Sequence, residues 1–223
     1  MQKAVVIVAG GSGKRMGSPI PKQFLEINGM PILGYTIRQF YQFDANIELV
    51  VVLPKDWIEY WKEQTAKFTI PSHTITEGGS ERFHSVLNGI QSVSDTVDLI
   101  GVHDAVRPCV SMETIDRCFD GALGNGAAIP VLAMVNSLRK VVIDSNESVN
   151  RHLFRSVQTP QCFQSNVLRK SYEIGFRSEF TDDASVVEYA GHSIKLVEGN
   201  PENVKATNPQ DLVLLRHFLS KED

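Results

Sequence analysis

Five short strings in this chain carry residue types that can hold phosphate groups. The first, Gly10-Gly11-Ser12-Gly13-Lys14-Arg15-Met16-Gly17, directly follows an apolar run ending at Ala9 and is followed by Lys22. Glycines let backbone N–H groups approach a polyanion closely, and Lys14, Arg15 and Lys22 supply positive charge. The loop is not a Walker A motif, because Arg15 stands where Ser or Thr should follow Gly-Lys, and Val8 where the first glycine should be. It is not G-x-G-x-x-G either, since Gly11 and Gly13 are followed by Met16. A flexible turn with solvated charges explains the same residues. The second string, Gly78-Gly79-Ser80-Glu81-Arg82-Phe83-His84-Ser85-Val86, opens a helical pattern. Backbone amides and hydroxyls at a helix start can bind an anion or a base edge, although Ser80 there reads equally as a plain cap. The third is Val102-His103-Asp104-Ala105-Val106-Arg107-Pro108. Its carboxylate can sit beside a metal or a ribose and its arginine can clamp a phosphate, or the two can simply pair. Thr181-Asp182-Asp183-Ala184-Ser185 and Asn203-Val204-Lys205-Ala206-Thr207 add a hydroxyl and another cation. Alone, these read as a helix cap by Thr181 and a solvated lysine.

The elements that must position these strings follow from periodicity. Short β-branched runs at 4–9, 48–53, 73–76, 99–103, 127–131 and 193–197 alternate with amphipathic runs at 32–43, 56–68, 81–93 and 112–123. That is the βα rhythm of a mostly parallel, Rossmann-like α/β sheet with helices on both faces. Ser80 and Ser111 are placed to cap the last two helices, and Asn208-Pro209-Gln210-Asp211 opens a final helix through Leu219. The third string then falls at the carboxyl end of a central strand, where open α/β sheets bind ligands. One segment breaks the rhythm. Residues 137–144 and 149–157 are β-rich and joined by Ser145-Asn146-Glu147, which predicts a protruding hairpin arm. Such a hairpin is marginal alone, so a second subunit is its expected support.

Taken together and in order, G-G-x-G-x-R-M-G…P-K-Q-F-L and the later strings resemble the sugar-phosphate nucleotidyltransferases, and within them the methylerythritol-phosphate cytidylyltransferases. The resemblance runs from the first strand to Lys205. It implies CTP and a polyol phosphate as substrates, with Mg2+ as the divalent cofactor and the chain as one nucleotidyltransferase domain over 1–223, the arm inserted at about 137–157. By it, Arg15, Lys22 and Lys205 are the catalytic cations. Ala9, Gly10, Gly11, Gly13, Gly79, Ser85 and Asp104 bind the nucleotide, Gly79 and Ser85 reading cytosine and Asp104 lying near the ribose or the metal. Arg107, Ser137, Arg151, Thr159 and Thr181 face the acceptor. The family's arm carries D-T-x-K; this chain has Asn136-Ser137-Leu138-Arg139, which keeps the hydroxyl and the positive charge and loses the acid. In the family the arm crosses to the partner of a homodimer. Two alternatives are a sister enzyme acting on another polyol phosphate, such as ribitol 5-phosphate, and a nucleotide-binding regulator without turnover. Ser85-Val86 counts against the first, and the presence of both Arg15 and Lys22 counts against the second.

Bulk properties narrow the rest. A formal charge of −4 over 223 residues argues against a broad footprint for nucleic acid or anionic membrane. No apolar stretch approaches the ~20 residues of a membrane-spanning helix. The apolar start is too short, and its flank too unlike a cleavage region, for a signal peptide. Cys109, Cys118 and Cys162 form no CxxC pair and no even framework, as expected of reduced thiols in a cytoplasmic, soluble protein. The six histidines show no zinc-ligand spacing, so magnesium would be held mainly by the nucleotide's own phosphates.

Overall fold

The computed structural model describes residues 1–10 and 19–220. The run Lys-Ala-Val-Val-Ile-Val forms β1 (Lys3–Val8), in which Ala4, Val5, Val6 and Ile7 are fully buried. β1 lies between β4 (Glu48–Leu53) and β6 (Leu99–Asp104), parallel to both. Because side chains alternate along a strand, β1 serves two cores at once. Val5 and Ile7 pack with Leu33, Ile37 and Phe40 of α1 (Ile32–Phe43), Trp61 of α2 (Ile58–Lys67) and Phe119 of α4 (Met112–Asn125). Ala4 and Val6 pack on the other face with Phe83, Val86 and Ile90 of α3 (Arg82–Gln91), Leu168 of α5 (Ser165–Tyr172) and Val187 of α6 (Asp183–Tyr189). Gly89 sits inside α3 because a Cβ there would come within 2.3 Å of Val6 Cγ1. The expected three-layer α/β architecture is the one observed.

Among the described residues the sheet has eight strands. Its order is β10 (Arg155–Val157), β7 (Ala127–Ala133), β11 (Gln161–Gln164), β6, β1, β4, β5 (Thr74–Glu77), with β12 (Lys195–Glu198) also on β7. β10 and β11 run antiparallel to their neighbours and the other pairings are parallel. β2 (Glu26–Ile27) and β3 (Met30–Pro31) form a small hairpin under α7 (Pro209–Leu219), and Leu215 and Leu219 pack near Ile27 and Val106.

Several expectations need correction. Ser111 caps α4, accepting from Thr114 N at 3.2 Å, but Ser80 does not cap α3: Glu81 holds the N-cap position, and the Ser80 hydroxyl meets His84 Nδ1 at 3.2 Å. Asp182, not Thr181, caps α6, its carboxylate accepting from Ser185 N at 2.9 Å. The helix expected over 56–68 opens as a 3-10 turn over Lys55–Trp57. The arm also differs. β8 (Leu138–Val142) pairs with β9 (Ser145–Val149) around a two-residue turn at Ile143-Asp144. Ser145, Asn146 and Glu147 therefore lie in a strand. They are polar because this ribbon is exposed on both faces, not because the chain reverses there; Lys140 pairs with Glu147 across it at 3.2 Å. Residues 155–157, read as part of the arm, instead join the main sheet against β7.

Candidate active site

The parallel strands end in one place. Ala9, just past β1, donates its N–H to Val52 O at 2.9 Å; Ala105, just past β6, donates to Val8 O at 3.1 Å; Gly78 donates to Leu53 O at 2.8 Å. These bonds draw the segments after β1, β5 and β6 around a cavity of about 300 Å³. Its lining includes Ala9, Gly10, Lys22, Gly79, Arg82, Ser85, Asp104 and Lys205.

Gln23 and Phe24 hold Lys22 in place from behind. Gln23 Nε2 donates to Ala9 O at 2.6 Å, and Phe24, 1% exposed, packs its ring among Trp57, Tyr60 and Trp61 at centroid distances of 5.2–5.8 Å. Lys22 Nζ donates to Ala206 O at 2.7 Å, next to Lys205. On the opposite wall Gly79 N donates to Ser85 Oγ at 3.1 Å, closing the segment over α3. A Cβ on Gly79 would fall 2.3 Å from His84 Cβ, so only glycine lets the backbone pass there.

Asp104 is the floor, 8% exposed. Its Oδ2 meets Lys205 Nζ at 2.9 Å and Arg107 Nε at 3.1 Å. Burial alone would raise this carboxyl, but Lys205 and Arg107, with Arg82 beyond them, hold it well below the usual carboxylate range. Arg107 also donates to Asn203 O at 2.8 Å, and Asn203 Nδ2 donates to Thr159 O at 2.8 Å, which fixes the loop carrying Lys205 to the end of β6. A chain of net negative charge thus gathers Lys22, Arg82, Arg107 and Lys205 around one carboxylate, an arrangement suited to a polyphosphate.

The family model described as IspD: 2-C-methyl-D-erythritol 4-phosphate cytidylyltransferase matches residues 3–221. Relatives bearing that enzyme name from Bacteroides fragilis and Porphyromonas gingivalis are each 46% identical to this chain. The first alignment covers 95% of this chain and 97% of the relative, the second 98% of both. The crystal structure of 2-C-methyl-D-erythritol 4-phosphate cytidylyltransferase from Thermus thermophilus has a TM-score of 0.81 at 32% identity, covering 99% of this chain and 100% of that one. This chain belongs to the 2-C-methyl-D-erythritol 4-phosphate cytidylyltransferase family.

For this member of the cytidylyltransferase family, the structure sorts the expected site residues into four groups. Ala9, Gly10, Lys22, Gly79, Ser85, Asp104 and Lys205 line the cavity together. Arg107 and Thr159 stand directly behind it: Thr159 is buried, and its hydroxyl oxygen accepts from Asp104 N at 3.1 Å. Ser137 and Arg151 lie on the exposed arm segment and Thr181 just before α6, none of them among the lining residues; Arg151 donates to Val135 O. Gly11, Gly13 and Arg15 lie outside the described residues.

Two features of the site went unread in the sequence. Arg82 forms a two-pronged pair with the fully buried Asp183 at 2.9 and 2.6 Å, and Tyr172 OH donates to the same carboxylate at 2.7 Å. Burial would lower the Arg82 guanidinium, but Asp183 outweighs it and keeps the charge firmly in place. The available signal was an arginine at the start of a helix and a second acid inside T-D-D-A-S. His103, also buried, is the other. As for a metal, no group of three or more His, Cys, Asp or Glu able to hold one occurs among the described residues. Asp104 fits as a single contributor to a magnesium ion carried by triphosphate oxygens. Among the described residues no helix is long and apolar enough to cross a membrane.

Proposed function

We propose that this chain transfers CMP from CTP to 2-C-methyl-D-erythritol 4-phosphate, releasing pyrophosphate and forming 4-CDP-2-C-methyl-D-erythritol for isoprenoid precursor synthesis in the cytoplasm. The observation that carries this reading is the single cavity in which Lys22, Lys205 and Asp104 meet the Gly79–Ser85 segment, in a chain of this family. An oxygen of the acceptor phosphate attacks the α-phosphorus of CTP. A new P–O bond forms as the bond to the bridging α–β oxygen breaks, and pyrophosphate leaves with that electron pair. Negative charge accumulates on the pentavalent phosphorus, so fixed cations stabilise the transition state more than the ground state. Lys22 and Arg15 take that role, with Lys205 as a third cation. No protein nucleophile is required, because the acceptor phosphate is one.

Gly79 and Ser85 select cytosine, and Ala9, Gly10, Gly11 and Gly13 serve the nucleotide. Asp104 faces the ribose or the metal. Magnesium, when bound through the nucleotide phosphates, neutralises their charge. Arg107 and Thr181, with Ser137 and Arg151 of a second copy's arm, receive the acceptor, and Thr159 supports them from behind. Two copies related by a two-fold axis would give each arm the same partner surface. The chain acts as one nucleotidyltransferase unit with the arm as its insertion.

The decisive experiment measures pyrophosphate release by the purified protein with CTP and each acceptor in turn. Release with 2-C-methyl-D-erythritol 4-phosphate far above that with ribitol 5-phosphate is expected, and the reverse order would sink the acceptor assignment. ATP, GTP and UTP should be much poorer donors, because a mismatched base leaves the pocket's polar groups unpaired. Equal rates from UTP and CTP would overturn the role of Gly79 and Ser85.

A further inference from the structure

His103 is fully buried at the penultimate position of β6, its ring edge-on to Phe40 with centroids 4.8 Å apart. Its hydrogen bonds fix where its proton sits. Nε2 lies 3.0 Å from Arg107 O, and a carbonyl only accepts, so Nε2 carries the hydrogen. A neutral imidazole then has Nδ1 as its acceptor, and the group 3.0 Å from Nδ1 is the Thr159 hydroxyl, which donates to it. With its proton committed there, Thr159 Oγ1 is free to accept the Asp104 backbone N–H at 3.1 Å, as it does. Full burial against Phe40, with no carboxylate on either ring nitrogen, suits the neutral ring. The result is one oriented chain: Asp104 N–H to Thr159 Oγ1, Thr159 O–H to His103 Nδ1, His103 Nε2–H to Arg107 O.

This chain spans a single turn. Arg107 N donates to Asp104 O at 3.1 Å, and the two side chains meet again at Oδ2 and Nε. The imidazole therefore grips the turn at both ends, reaching its first amide through Thr159 and its last carbonyl directly. A phenylalanine could fill the same volume against Phe40, but it could make neither bond.

We propose that His103, acting through Thr159, is a positioning residue for the reaction: the oriented chain sets the Asp104–Arg107 turn and thereby the direction in which that carboxylate and guanidinium are presented. The proposal rests on the cytidylyltransferase reading for its kinetic consequences. Its geometric basis can be read without substrate.

The test combines NMR of 15N-histidine-labelled protein with kinetics. In the parent protein, proton–nitrogen correlations, assigned by loss of the signal in His103→Gln, should show the Nε2–H tautomer alone at neutral pH. Thr159→Val keeps the side-chain shape and removes both links. It should leave the Nε2–H tautomer in place, because Arg107 O still requires it, but shift the Nδ1 resonance as its donor is lost. It should also lower kcat roughly 10- to 100-fold, the scale of a small misplacement at a reacting centre. KM for the acceptor should rise as Arg107 is re-aimed, and KM for CTP should rise by less than kcat falls, because the Gly79–Ser85 wall still holds the base while only Asp104 shifts. His103→Gln, whose amide can still donate to Arg107 O, should keep more kcat than His103→Phe. If His103→Phe fails to fold, the parent tautomer and Thr159→Val still decide. An Nδ1–H tautomer in the parent overturns the proposal, as does parental kcat in Thr159→Val. Failure of the functional reading would look different: the parent itself would release no pyrophosphate, and the positioning role of His103 in the reaction would fall with it.

Discussion

The cavity at the strand ends and the arm beside the sheet are built on opposite terms. Around the buried Asp104 the neighbouring polar groups are committed to one another: two cations on one carboxylate oxygen, a hydroxyl on its amide, and a histidine closing the turn. On the arm, Leu153, Val141 and Ile143 are 79%, 80% and 99% exposed, and β8 and β9 pair only with each other among the described residues. Transition-state stabilisation needs donors and charges already in place, which a core can enforce and a free ribbon cannot. The arm is also poor as a free-standing element, since an isolated two-stranded hairpin is marginal in water and its apolar residues face solvent. In our reading, the contrast divides the site in two: the buried strand ends hold the nucleotide, and the exposed arm docks on a second copy.

That division can be broken most forcefully at Arg82. Arg82→Ala would leave the Asp183 carboxylate buried without its ion partner, and unfolding by denaturant should show a loss of about 3–5 kcal/mol. A loss below about 1 kcal/mol would mean the pair behaves as a surface ion pair. Next comes Lys22→Ala, expected to lower turnover ~100- to 1000-fold while CTP affinity measured by titration changes far less. Near-normal turnover would remove Lys22 from the catalytic cations.

Acid offers a subtler probe of the buried half. Burial holds His103 at about 4, below its ordinary 6.5, in surroundings that include Asp104, Arg107 and Lys205. Between those values the unfolded chain binds a proton that the folded one refuses. The His103 contribution is therefore complete above about pH 6.5 and is lost as pH falls toward 4, by up to about 3 kcal/mol. Asp104, held below the usual carboxylate range, adds a further loss at still lower pH. Thermal unfolding across that range should flatten in His103→Gln and keep its slope in any arm variant.

The smallest effects belong to the arm. Ile143→Asp at its tip should shift the stability of the fold by less than ~0.5 kcal/mol, measured by denaturant unfolding. Function should separate where stability does not. Mixing inactive Arg151→Ala and Lys22→Ala proteins should return part of the activity, because a hybrid dimer has one site bearing both lesions and one bearing neither. If exchange of subunits is demonstrated and no activity returns, the shared site is wrong.

Much of this was legible in local pattern. The bounds 48–53 and 32–43 read from periodicity coincide with β4 and α1, because burial on both sheet faces and on one helix stripe leaves a signature within a few residues. The resemblance carried by the strings implied one site for Lys22, Gly79, Ser85, Asp104 and Lys205, and these residues line one cavity. What sequence could not decide depends on partners far along the chain. Arg82 and Asp183 are 101 residues apart, and either alone reads as surface charge. The reversal that makes β11 antiparallel between β6 and β7, and the loss of 155–157 from the arm to β7, are set by pairing with strands distant in sequence, which local pattern does not reveal. Ser145-Asn146-Glu147 carries turn composition, yet its true constraint is two-sided exposure, which local composition does not distinguish from a reversal. His103 is the sharpest case: its residue type was plain from the start, but its proton is placed by Arg107 O and the Thr159 hydroxyl, and only the packed structure brings those two acceptor and donor groups to opposite sides of one ring.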